Sequence, residues 1–158
     1  MQQKETQKSA DLTDISRVRE SGRILALDPG TKRIGVAICD ELRVAARPLP
    51  VIQRTSWKKL LLQVEDIVAR FDAAAIVVGL PFNFDGTESE MSAEAREIAR
   101  KFSLSLKIPV FLQDERASTY EARGRLWKAG LEGKEMRAVV DSEAATVILT
   151  DFLDRVRS

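Results

Sequence analysis

With 158 residues and 44% apolar side chains, the chain is long enough to close one hydrophobic core; its 25 Lys and Arg against 24 Asp and Glu leave a net charge of +1 and no global polyanion-binding signature. It has no histidine and one cysteine, which removes Ser-His-Asp and Cys-His catalysis, imidazole acid–base chemistry, His-ligated zinc and any intrachain disulfide. Chemistry therefore falls to carboxylates, lysines, hydroxyls or a metal held by oxygen.

Residues 1–22 are polar, with mixed charge rather than a basic arm and with no signal-peptide core, and they predict a disordered tail ahead of a single domain over residues 23–158. No apolar run approaches the ~20 residues that span a bilayer, so the expectation is a cytoplasmic protein with no membrane partner. Ile24 to Leu27 reads as a strand, Asp28, Pro29 and Gly30 as a turn, and Ile34 to Cys39 as a second strand, with Cys39 a small core residue. Pro48 and Pro50 reduce Val44 to Ile52 to a short strand and an exit loop. Thr55 or Ser56 caps a core helix whose apolar face includes Trp57, Leu60, Val64 and Ile67.

Ala73 to Val78 is a fourth strand, followed by a loop, Phe82 to Gly86. Thr87 and Glu90 match a capping box for a helix bearing Met91, Ala95, Ile98 and Phe102. Val110 to Leu112 is a short strand running into Asp114, Glu115 and Arg116, and Ser118 with Glu121 starts a helix that Gly130 stops. The stretch 131–140 predicts a mobile loop, after which Asp141 begins a last helix carrying Ala145, Ile148, Leu149 and Phe152. The order implies an α/β fold: a mixed five-stranded sheet with helices on both faces.

Acidic residues stand at element ends: Asp28 after the first strand, Asp114 and Glu115 after the last, and Asp141 at the final helix. Sites in α/β sheets collect at strand ends. Carboxylates gathered there either raise one another's pKa or bind a divalent cation, and oxygen-only ligands favour Mg²⁺ or Mn²⁺. Two such ions would activate water and steady the leaving oxygen of a phosphodiester. Each residue also has a structural reading: Asp28 opens a turn, Asp141 caps a helix, Asp114 lies on a surface turn and Glu115 pairs with Arg116.

DPGTKRIGVA at Asp28 to Ala37, ARPLP at Ala46 to Pro50, VVGLPFNFDGTES at Val77 to Ser89, DERASTYEA at Asp114 to Ala122 and VDSEAA at Val140 to Ala145 resemble the successive motifs of the YqgF family, also called RuvX. The resemblance runs from Arg23 to the C-terminus and implies an RNase H-like fold. It implies a metal-dependent nuclease that processes the 5′ end of precursor 16S rRNA or resolves Holliday junctions as a branched-DNA hydrolase.

Carried over by position, the resemblance makes Asp28, Glu115 and Asp141 metal-binding catalytic carboxylates, with Asp114 as an accessory ligand. Asn83, Asp85 and Gly86 would border the site, and Lys32, Arg33 and Arg116 would hold phosphate oxygens. Ala117 stands where the family usually has Leu. The partner is then nucleic acid, and the chain is a monomer or, for junction resolution, a homodimer. Two other readings are a phosphate-binding domain of the actin, Hsp70 and sugar-kinase class, for which no second phosphate loop is found, and a non-catalytic nucleic-acid-binding module.

Overall fold

An apolar run without polar alternation must be covered on both faces, and strand β1, Ile24–Pro29, is accordingly the middle strand of a five-stranded sheet, buried from Ile24 to Leu27. The computed structural model describes residues 14–81, 87, 89–114 and 133–157, the stretch 133–141 as helical backbone only. Antiparallel to β1 lies β2, Arg33–Cys39, and antiparallel to β2 lies β3, Ala46–Gln53. On the other side β4, Ala75–Leu80, and β5, Val110–Asp114, continue in parallel, giving the order β3-β2-β1-β4-β5. The mixed α/β sheet is the one expected.

The pleat sends alternate residues into two separate cores. Leu25, Leu27, Val36, Ile76 and Leu112 face two helices, α1, Trp57–Phe71, and α2, Glu90–Ser105. Ile24, Ala26, Ala37, Val77 and Phe111 face α3, Gly133–Arg157. Phe102 anchors the first core, with the half-buried Trp57 ring 4.8 Å away, and Phe111 meets Phe152 at 5.6 Å in the second.

Four local expectations are corrected. Residues 14–22 belong to the fold: Asp14 caps a 3₁₀ turn, Ile15–Arg17, and Ile15 and Val18 pack against the α3-side core. β3 runs through both prolines over 8 residues, because it is an edge strand whose outer N–H positions need no partner. The cap of α2 is Ser89, which exchanges hydrogen bonds with Ser92 in a capping box two residues beyond the one expected. α3 begins at Gly133, so most of the expected loop is helix; Lys134, Glu135, Met136, Arg137 and Ala138 are all good helix formers. The helix expected after Ser118 lies outside the described residues.

The turn between β2 and β3 is built around Asp40, whose carboxylate accepts the amides of Ala45 at 2.7 Å, Val44 at 2.9 Å and Leu42 at 3.2 Å. Those amides, Ala45 first, hold the carboxyl below the usual aspartate value of 3.8. A depressed folded-state pKa means that the bonds stabilise the fold fully above that value and lose their effect as pH falls through the depressed one. Urea unfolding should therefore find Asp40→Ala less stable than wild type at neutral pH, with the gap closing as pH drops below 3.8.

Candidate active site at the carboxyl ends of the parallel strands

A strand buried on both faces admits a charge only where it leaves the core. Ile24 and Ala26 face α3, and the same alternation sets the half-buried Asp28 on that face at the end of β1. Gly35 pairs with Asp28 across β2, and Gly79 lies one residue past the Leu27–Val78 pair on β4. Neither neighbouring strand thus puts a side chain beside the carboxylate, which leaves room for a ligand to approach. Gly79 pairs in turn with Gln113, which shares the face of Phe111 and whose Oε1 is buried without a hydrogen-bond partner.

The helix above this face packs on the sheet through Ala145, Ile148, Leu149 and Phe152 and is tied to the edge strand by a hydrogen bond. Ser142 Oγ donates to the carbonyl of Leu49 at 2.7 Å, and Leu49 pairs with Val36, which pairs with Leu27. Residue 142 is thereby held one residue short of the Asp28 row and two strand spacings across, about 10 Å. Asp141 is the neighbouring residue, four before the sheet-facing Ala145 and so on the same helical stripe. The helix does not start at Asp141 as expected: that residue sits eight residues inside α3, so it does not cap the helix. Its side chain lies outside the described residues.

The turn after Asp28 is held by a residue the sequence reading passed over. Gly30 N–H donates to Arg33 O at 2.9 Å, and a Cβ on Gly30 would come within 2.6 Å of that oxygen, so the tight closure requires glycine. Arg54, just past β3, donates its amide to Lys32 O and Nη1 to Gly30 O, each at 2.9 Å, while Nη2 reaches the Glu94 carboxylate on α2. A second tie joins α2 to the end of β4, where Ser92 Oγ donates to Pro81 O. Nothing in spacing or periodicity marks Arg54, Glu94 or Ser142, because each acts on a segment distant in sequence.

The remaining candidates fall as follows. Lys32 is exposed on the turn, and Arg33 shares the α3 face with Gly35 and Ala37, the face of Asp28. Asp114 shares its face with Val110 and Leu112, so it points away from the Asp28 side of the sheet. Asn83, Asp85, Gly86, Glu115 and Arg116 lie outside the described residues. Among the described residues no three potential metal ligands gather, with Glu115 and the Asp141 side chain not included.

The RuvX family profile, described as Holliday junction resolvase, matches residues 22–155. A protein of Syntrophus aciditrophicus named "Putative pre-16S rRNA nuclease" is 40% identical over 134 residues, 85% of this chain and 89% of that one. A protein of the same name from Thiobacillus denitrificans is 39% identical over 140 residues, 89% and 97% of the two chains. The structure of Thermus thermophilus RuvC in complex with a Holliday junction substrate superposes with a TM-score of 0.52 at 18% identity, covering 85% of this chain and 95% of that one, and so shares the fold.

The Arg54 bonds give a direct test of how the turn is held. Arg54→Ala should speed hydrogen exchange at the Gly30 amide and lower global stability by about 1–2 kcal/mol, the worth of its two partly exposed side-chain hydrogen bonds. Arg54→Lys, which cannot bond Gly30 and Glu94 together, should fall between the two.

Proposed function

Since this chain belongs to the RuvX family, we propose that it is a metal-dependent phosphodiester hydrolase that processes the 5′ end of precursor 16S rRNA in the cytoplasm during ribosome biogenesis. The observation that carries this reading is the half-buried Asp28 at the end of the central strand, flanked by two glycine positions and lying on the face covered by α3. A carboxylate in that position is a hard oxygen donor beside strand positions that carry no side chain, which suits Mg²⁺ or Mn²⁺ in a chain without histidine.

In this reading Asp28, Glu115 and Asp141 hold the cation. Asp114 is left out of that set, because strand alternation turns it to the other face. The bound cation would lower the pKa of a water and offset charge developing on the phosphorus oxygens. The chain's own residues then supply position: Lys32 and Arg33 draw the phosphate towards Asp28, with Arg116 as a third cation. The Arg54 latch keeps the turn that carries Lys32 in one conformation, so little ordering is left for the moment of binding. Asn83 and Asp85, in the loop between Pro81 and Ser89, would contact the strand being cut.

The family description favours a second substrate, the four-way DNA junction. Incubating end-labelled precursor rRNA and a synthetic junction with Mg²⁺ or Mn²⁺ separates the two. RNA-selective cutting that Asp28→Asn reduces more than about 100-fold and EDTA abolishes is the expected result, given that even outer-sphere residues of metal sites change activity by 10–100-fold. Paired symmetric nicks in the junction, made by a dimer, would establish the resolvase instead. Cutting that survives Asp28→Asn would remove Asp28 from the site, and binding of either nucleic acid without cutting would make the chain a binding module.

A further inference from the structure

At the end of the sheet opposite Asp28, two adjoining cavities open where β1, β4 and β5 begin. The smaller, about 220 Å³, is lined by Arg17, Arg19 and Lys107 and by no carboxylate. The larger, about 510 Å³, shares Arg19 and Ile108 with it and adds Arg23 and Arg70, against Glu41 and Asp72. Arg70 is ion-paired with Asp66 at 3.5 Å, which leaves Arg17, Arg19, Arg23 and Lys107, four cations, facing Glu41 and Asp72 in a chain whose overall charge is +1. Arg19 and Lys107 make no ion pair among the described residues.

The wall of these cavities is built rather than draped. Arg43 has a left-handed φ of 60° and is only 6% exposed, and its guanidinium turns inward beneath the segment 19–22. It donates Nε to Gly22 O at 2.8 Å and Nη1 to Arg19 O at 2.6 Å, while Nη2 is buried without a partner. Gly22 N–H in turn reaches Glu41 O at 3.0 Å. Arg43 makes no ion pair among the described residues, and a buried cation so placed adds positive potential to the wall it supports, because the low-dielectric interior screens it poorly. Clustered like charges around an open cavity repel one another, and an anion bound there relieves that repulsion.

We propose that this cleft is a second nucleic-acid site, which binds backbone phosphates of the strand whose scissile bond lies at Asp28. The proposal rests on the nuclease reading for the identity of the anion. Two of its cations, Arg17 and Arg19, precede residue 22, where the family match begins. β1 has 6 residues, so the two ends of the sheet are about 20 Å apart. At about 3.4 Å per stacked nucleotide, a strand reaching both is at least about six nucleotides long.

The test is anisotropy titration of labelled RNA in EDTA, where binding is read without cleavage. Replacing Arg17, Arg19 and Lys107 together by Gln should weaken binding of a twenty-nucleotide strand (on the order of twice the span plus flanks) by about 10- to 100-fold and lower the slope of log K against log salt by about 2. A double variant with Lys in place of Arg17 and Arg19, Lys107 being kept, should retain most of the affinity, and Lys58→Gln with Lys59→Gln, on the exposed side of α1, should change little. Unchanged affinity and slope, with circular dichroism showing a folded variant, would overturn the proposal and assign the cleft to a protein partner, for which the neighbouring exposed Leu42 and Val44 would be apolar contacts. Failure of the nuclease reading shows separately, as absent cleavage of any substrate with the binding difference intact.

Discussion

β1 is covered on both faces, and that constraint orders the rest of the molecule. From Ile24 to Leu27 each side chain is buried, alternately beneath α1 and α2 and beneath α3. An ionised group in that run would cost several kcal/mol without a partner, so the first carboxylate comes where the strand leaves the core. Alternation then fixes the side on which it emerges, and α3 becomes the only described helix that covers that face. The location of the candidate site follows from burying that run of one strand on both faces.

A carboxylate at a strand end becomes a site only when other segments are held against it, and in this structure a few polar ties do that holding. Ser142 links α3 to the edge strand at Leu49, Arg54 joins the turn after Asp28 to α2, and Ser92 joins α2 to the end of β4. Each net contribution is of order 1 kcal/mol, small beside the burial of Phe102, Phe111 and Phe152. Their effect is positional. The two cores set the order of the layers, and these bonds set where the helices stop along the strands, which is the coordinate that a metal site or a phosphate contact depends on.

Charge is divided between the two ends of the sheet. Asp28 stands at the carboxyl ends of the parallel strands, and the cations of the opposite cleft gather where those strands begin. A near-neutral chain can carry such a separation because net charge sums over the surface while a ligand responds to the local field. The 3₁₀ turn at Ile15–Arg17 matters here beyond its size: Ile15 and Val18 anchor it in the α3-side core, which holds Arg17 and Arg19 beside the cleft.

Short-range chemistry is what made much of the chain readable. Apolar runs marked four of the five strands, Ser56 is one of the two cap candidates the sequence offers for α1, and the turn at Gly30 was visible in its residues. The errors came where two local signals competed. Thr87 with Glu90 imitated a capping box that Ser89 and Ser92 form, and the polar look of residues 133–140 hid their helix propensity. The prolines of β3 looked disruptive because a sequence does not say which strand is at the edge. Asp28 could be named from its strand end, yet its face, the glycines beside it and the opposite orientation of Asp114 depend on register. Arg54, Ser142 and the Arg43 clamp could not be read at all, since a hydrogen bond between residues up to 93 positions apart leaves no pattern along the chain. Strands, turns and caps follow from neighbours in sequence; the relation of one carboxylate to the rest of its site exists only once the layers have closed and non-local bonds have fixed their offset.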